Sequence, residues 1–165
     1  MLLPDGHGGG GAAAVRRHAE VAHRIKRFLR GCATSFGRVE VLDLGPARRA
    51  ALIGKATGRE VEGFALVLEN NNARHALKHH ANVRVEACRG RLPLDHDDLA
   101  HIAEILAEPD RIEPGDPTRR GAPTAIFWKR IGKIEYKVVA EIRPGARQIA
   151  FKTMMKRLRR YENEP

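Results

Sequence analysis

"TAIFWKRIGKIEYKVVAEIRPGARQIAFKTMM", residues 124–155, decides the fold. It holds three runs rich in β-branched and aromatic residues, at 124–131, 133–143 and 147–155. Alternation is plainest in the middle run. There Ile134, Tyr136, Val138, Ala140 and Ile142 share one face of a regular strand. Gly132-Lys133 predicts a tight hairpin between the first two runs, and Pro144-Gly145 predicts the next turn. Three strands joined by such turns form an antiparallel meander.

Upstream the period changes. "LDHDDLAHIAEILAEPD", residues 94–110, predicts a helix with Asp95 as its cap, Asp98 beside the first-turn amides and Pro109 as its stop. Leu99, Ile102, Ile105 and Leu106 form its apolar stripe. "ARHALKHHA", residues 73–81, belongs to another helix, with Ala73, Ala76 and Leu77 towards the core. Residues 46–58 predict a helix from Pro46 to Gly58, flanked by strands at 39–45 and 60–69. Residues 12–30 predict a basic helix with Ala14, Val21, Ile25 and Phe28 at helical spacing. Residues 83–94 read as irregular and 110–123 as loop. Helices first and a meander last predict an α+β fold, with N-terminal helices packed on a small antiparallel sheet that ends in a three-stranded meander. The expected organisation is a disordered glycine-rich segment at 1–11, a linker helix at 12–37, the main domain at 38–158 and a tail at 159–165.

The chain has 165 residues, 42% of them hydrophobic, which suffices for one domain with a modest core. A formal net charge of +10 favours a polyanionic partner. The positive field concentrates in the first helix and in the stretch 147–160, with Lys152, Lys156 and Arg157 among its bases and no acid, whereas the 95–110 helix is acidic. Cys32 and Cys88 form no C-x-x-C motif and no disulfide framework, so a reduced compartment is the simpler expectation. The sequence has no apolar run of the roughly 18 residues that a membrane span needs, and its N-terminal stretch lacks the pattern of a signal peptide. A cytoplasmic location, or delivery into the cytoplasm of a target cell, is expected.

Several chemistries lack their residues. "GKAT" at 54–57 has Arg49 where a phosphate loop needs glycine. His75 and His79 are four apart, as in zinc sites, but two imidazoles are half a tetrahedral set, and neither a metal nor another cofactor is expected. No G-x-S-x-G elbow supports a serine hydrolase. His75, His79 and His80 remain, interleaved with Arg74 and Lys78. Imidazoles titrate near neutrality, so one can take a proton while another gives one. In a basic, metal-free site that suits RNA cleavage by internal transfer, with a Lys or Thr of the sheet steadying the phosphate charge. On an ideal helix His75 and His80 point about 140° apart, and His79 lies closer to His75. The bland alternative is a solvated helix face. A basic RNA- or DNA-binding module without chemistry, or a protein-interaction domain, would carry the same charge pattern.

The order of these segments resembles the phage nuclease-like domains of the barnase–EndoU–colicin–RelE-like superfamily, over about Arg38 to Lys156. The carrying features are His75 and His80 on one helix, the helix Asp98–Asp110, and Lys152-Thr153 on the closing strand. Ala81 stands where the family pattern usually has glycine. The resemblance implies a metal-independent endoribonuclease of toxin type, with His75 and His80 as acid–base candidates and Thr153 as a phosphate contact. Lys129 and Tyr136, on adjacent strands, are expected to add a cation and a hydroxyl. Arg74, Lys78, Lys137, Lys152 and Lys156 are expected to bind RNA beside Tyr136, and the lone Trp128 could stack a base. An acidic immunity or antitoxin-like protein is an expected masking partner.

Overall fold

The computed structural model describes residues 10–31, 38–43 and 47–159, with side chains described at 19–30 and 50–159. In chain order the elements are α1 (Gly10–Gly31), β1 (Arg38–Asp43), α2 (Ala47–Thr57), β2 (Ala65–Glu69), α3 (Asn70–His80), α4 (Val83–Cys88), α5 (His96–Ala100), α6 (Ile102–Ala107), β3 (Arg111–Gly115), β4 (Thr124–Ile131), β5 (Ile134–Arg143) and β6 (Gln148–Leu158). The expected Pro46 helix start, the Cys32 thiol, most of the glycine-rich segment and all but Arg159 of the tail lie outside the described residues.

The α+β order holds, and the meander β4–β5–β6 is antiparallel throughout. Gly132 makes the first turn at φ 59, a left-handed conformation that glycine adopts without Cβ strain. Pro144–Ala146 form a 3₁₀ turn before β6. The sheet is larger than the meander and is mixed, with six strands in the order β1-β2-β6-β5-β4-β3. β2 lies parallel to β6 through Ala65–Val67 against Gln148–Ala150. This pairing joins segments some eighty positions apart and leaves no local signature.

Four expectations change. Residues 111–115, read as loop, form edge strand β3 against β4; an edge tolerates Pro114, which cannot donate to a ladder. Residues 83–88, read as irregular, form α4, started by Asn82, whose side chain accepts from Val85 N at 3.1 Å. The acidic helix breaks at His101, whose N–H turns back to Asp98 O at 3.0 Å, a tighter closure than the α-helical one. Strand β2 starts only at Ala65, because Gly63 turns the chain at φ 74.

The core gathers α1, α2, α3, α5, α6 and the inward side of the sheet. Leu99, Ile102, Ile105 and Leu106 are fully buried against Phe127, Phe151 and Ile142. Helix α1, expected as a linker helix, places Val21 and Ile25 in this same buried cluster. The amphipathic stripe that makes it a helix also docks it. No described helix is long and apolar enough to cross a membrane.

Candidate active site

Helix α3 is fixed to the sheet at its start and to the loop before α5 at its end. At its start, the Glu69 carboxylate receives Arg143 Nη1 at 2.6 Å and Nη2 at 3.2 Å. Asn72 Nδ2 donates to Phe151 O at 2.9 Å. At its end, Leu94 N donates to His80 O at 2.7 Å. Between these anchors Ala73 and Ala76 are buried, and their small side chains allow close approach to β6. β6 is irregular at this point. Phe151 pairs with Ala140 and Thr153 with Val139, so Lys152 is the extra residue of a bulge.

The histidines divide between two faces of α3. His75 is exposed, and its ring centroid lies 4.1 Å from that of His79 at an interplanar angle of 48°. Its pKa lies below the ordinary imidazole value. Partial desolvation is the largest cause, followed by the positive charge of His79, His80, Lys78 and Lys152. Lys152 thus contributes its field to His75 from the bulge, while Arg74 and Lys78 are exposed on the helix itself. His80 turns away from this pair. Its Nδ1 lies 3.2 Å from Glu86 Oε1, and its side chain is 13% exposed against 0% for the glutamate. Arg89 Nη1 approaches the same oxygen at 3.3 Å, and Glu86 Oε2 is buried with no hydrogen-bond partner among the described residues.

The sheet residues are distributed differently from expectation. Thr153 pairs with Val139 on the sheet face opposite the core. Lys129 pairs with Tyr136 on the inward face of β4, its Nζ 4.0 Å from Asp110 Oδ1. Two strand spacings of about 4.8 Å separate β4 from β6, so Lys129 does not join the α3–β6 cluster. Tyr136, expected at an RNA surface, is 5% exposed and donates its hydroxyl to Asp98 Oδ1 at 2.8 Å. Burial and this hydrogen bond to a carboxylate push its pKa far up. Lys156 Nζ meets the other oxygen of Asp98 at 2.7 Å. Asp98 also takes Asp95 N at 2.8 Å, which makes it the hub of a buried network beyond its capping role. Lys137 lies on the outer face with Trp128.

Glu86 carried no signal in the sequence, because a single acid in an apparently irregular stretch has no periodicity to betray burial. Among the described residues, no group of three or more His, Cys, Asp or Glu side chains is placed to hold a metal ion. What α3 and β6 assemble is an imidazole pair with His75 shifted towards its neutral form, beside lysines, on an accessible surface. Such a set can accept a proton next to an anionic group.

Residues 47–161 match a family model described as phage-Barnase-EndoU-ColicinE5/D-RelE like nuclease 3. The match covers the His75–His79 pair, Glu86 and the whole meander, and begins after α1. Neither a curated protein nor a solved structure matches the chain.

Proposed function

Because the chain belongs to the phage-Barnase-EndoU-ColicinE5/D-RelE like nuclease 3 family, we propose that this nuclease cleaves RNA without a metal, with His75 as its general base. The observation that supports this most is the exposed His75 ring set 4.1 Å from that of His79, on a helix face where Lys78 and the bulge residue Lys152 help to lower the His75 pKa. A neutral imidazole in a cationic surround can take a proton while phosphate is held nearby. In this reading His75 removes the proton of a ribose 2′-hydroxyl, and the 2′-oxygen attacks phosphorus. The P–O5′ bond breaks, leaving a 2′,3′-cyclic phosphate and a 5′-oxygen that takes up a proton. His79 shares the face of His75, with its ring centroid 4.1 Å away, so His79 is the proton donor in this scheme. Lys152 supplies the cation that steadies the phosphorane, a task the sequence assigned to Lys129. Thr153, next to it on β6, offers a hydroxyl to a phosphate oxygen. Glu86 holds His80 through Nδ1, which makes His80 a positioning residue at the end of α3.

The test is incubation with single-stranded RNA in EDTA, with product ends identified by mass. Cyclic phosphate ends are expected, with cleavage blocked by a 2′-deoxy substitution at the scissile nucleotide. His75→Ala should slow cleavage about 100-fold or more. Equal cleavage of an all-DNA strand, or wild-type rates in a folded His75→Ala protein, would sink this reading.

A further inference from the structure

The sheet face opposite the core carries the chain's single tryptophan in a cationic setting. Trp128 on β4 has Arg111 as its register partner on β3 and Lys137 as its partner on β5. Its Nε1 donates to Glu113 Oε2 at 3.1 Å, which fixes the ring in its plane. Arg111 covers the ring at 4.5 Å and is itself tied to Glu113 Oε1 at 2.7 Å, so the β3 side is closed. On the β5–β6 side, Lys137 Nζ and the Arg157 guanidinium each stand off at 5.4 Å. A groove of about 170 Å³ opens there, lined by Trp128, Met155, Lys137, Arg91, Lys156 and the pair Arg157 and Glu135.

Charge in the groove is not balanced. Arg157 is neutralised by Glu135, and Lys156 by Asp98. Among the described residues, Lys137 and Arg91 have no carboxylate within ion-pair distance. The groove therefore combines a fixed indole and a thioether with two uncompensated cations. A planar apolar body bearing an adjacent negative charge is its complement, and an unpaired nucleotide has both parts.

β6 links this groove to the histidine pair. Lys152 forms the bulge next to Phe151, whose carbonyl accepts from Asn72 of the histidine helix, and Met155 and Arg157 lie three and five residues further along. At about 3.3 Å per residue, that is roughly 10–17 Å along the strand. We propose that the Trp128 groove is a subsite for single-stranded RNA, in which one base stacks on the indole and its phosphates meet Lys137 and Arg91, one to a few nucleotides from the bond cut beside His75. The assignment of RNA rests on the function proposed above.

Trp128 is its own reporter, because no other tryptophan contributes to the emission. The experiment uses full-length His75→Ala protein, so that the ligand stays intact, titrated with hexameric oligouridylate and oligoadenylate labelled for anisotropy. Saturable quenching of Trp128 emission, with the same midpoint as the anisotropy change, is expected. Lys137→Gln should weaken binding severalfold and lower the slope of log affinity against log salt by about one. In the otherwise wild-type enzyme, Trp128→Ala should raise KM about tenfold at constant kcat, with Trp128→Phe between the two. Saturable quenching together with a wild-type protein that leaves RNA uncut would keep the subsite and remove the nuclease reading. Cleavage with unmoved emission and an unchanged KM in a folded Trp128→Phe or Lys137→Gln protein would overturn the subsite alone. Quenching by polyglutamate but not by RNA would also overturn it, in favour of an acidic protein.

Discussion

Tyr136 donates its phenolic hydrogen to Asp98 Oδ1 at 2.8 Å, inside the interface between the acidic helix and the sheet. The same carboxylate takes Lys156 Nζ at 2.7 Å and Asp95 N at 2.8 Å. One buried acid thereby ties α5 to two neighbouring strands. Removing it strands a lysine, a hydroxyl and a helix-start N–H, and breaking such a buried pair costs about 3–5 kcal/mol. Asp98→Ala should therefore lower the urea midpoint sharply, whereas Tyr136→Phe should cost only about 1 kcal/mol. The raised pKa of Tyr136 has a sign of its own. The unfolded chain releases the phenolic proton first, so this contribution is full below pH 10 and is lost as the pH rises beyond it. A wild-type alkaline stability curve that does not differ from that of Tyr136→Phe would contradict the network.

Ile25 tests whether α1 belongs to the folded unit. It is fully buried among core residues of the sheet and other helices, although α1 lies outside the residues that match the family. Truncation of a buried isoleucine to alanine costs about 2–5 kcal/mol. Leu52, which is half-exposed on α2, is the control, and Leu52→Ala should change stability by less than about 0.5 kcal/mol. Equal, small losses in calorimetry would return α1 to the role of a linker.

Legibility in the sequence followed locality. β4, β5 and β6 were readable because Tyr136, Val138, Ala140 and Ile142 alternate between close turns. The Asp95 cap was readable because its partner Asp98 is three residues away. β3 was hidden by Pro114 and Gly115, which ordinarily mark loops and are accommodated here by an edge. α4 was hidden because Val83 and Val85 alternate like a strand yet are exposed. The site divides in the same way. The adjacency of His75 and His79 follows from helical spacing, and so does the divergence of His80. The influence of Lys152 on His75 depends on a bulge and on the docking of α3, and neither leaves a mark in a single sequence.

His79 and His80 should fail in different ways when replaced. His79 is exposed and packs on His75, so His79→Ala should lose about 100-fold in cleavage while its melting temperature stays close to wild type. His80 partners a carboxylate that is 0% exposed and already has one oxygen without a hydrogen bond. His80→Ala should then destabilise the protein by about 2–3 kcal/mol, with Arg89 retaining part of the pairing. Glu86→Gln in the same background removes the buried charge and should restore part of that loss. Should His80→Ala instead be as stable as wild type and inactive, the proton donor is His80.

The field around His75 fixes the pH dependence of cleavage. A general base works only when neutral, and the His75 pKa lies below 6.5. The acid limb of kcat/KM, which reports the free enzyme, should accordingly fall below pH 6.5. Lys78 is one of the cations that lower this pKa. Lys78→Gln removes that charge, so the His75 pKa rises and the limb moves to higher pH, although the catalytic groups are intact. Salt should act in the same direction, because screening at about 1 M reaches within roughly 3 Å and weakens the exposed cations. Stability carries the matching sign. The folded imidazole resists protonation more than the unfolded one, so the contribution of His75 is full above pH 6.5 and is lost as the pH falls through its lowered value. A limb that stays fixed in Lys78→Gln and in high salt would mean that the group titrating in the rate is not His75.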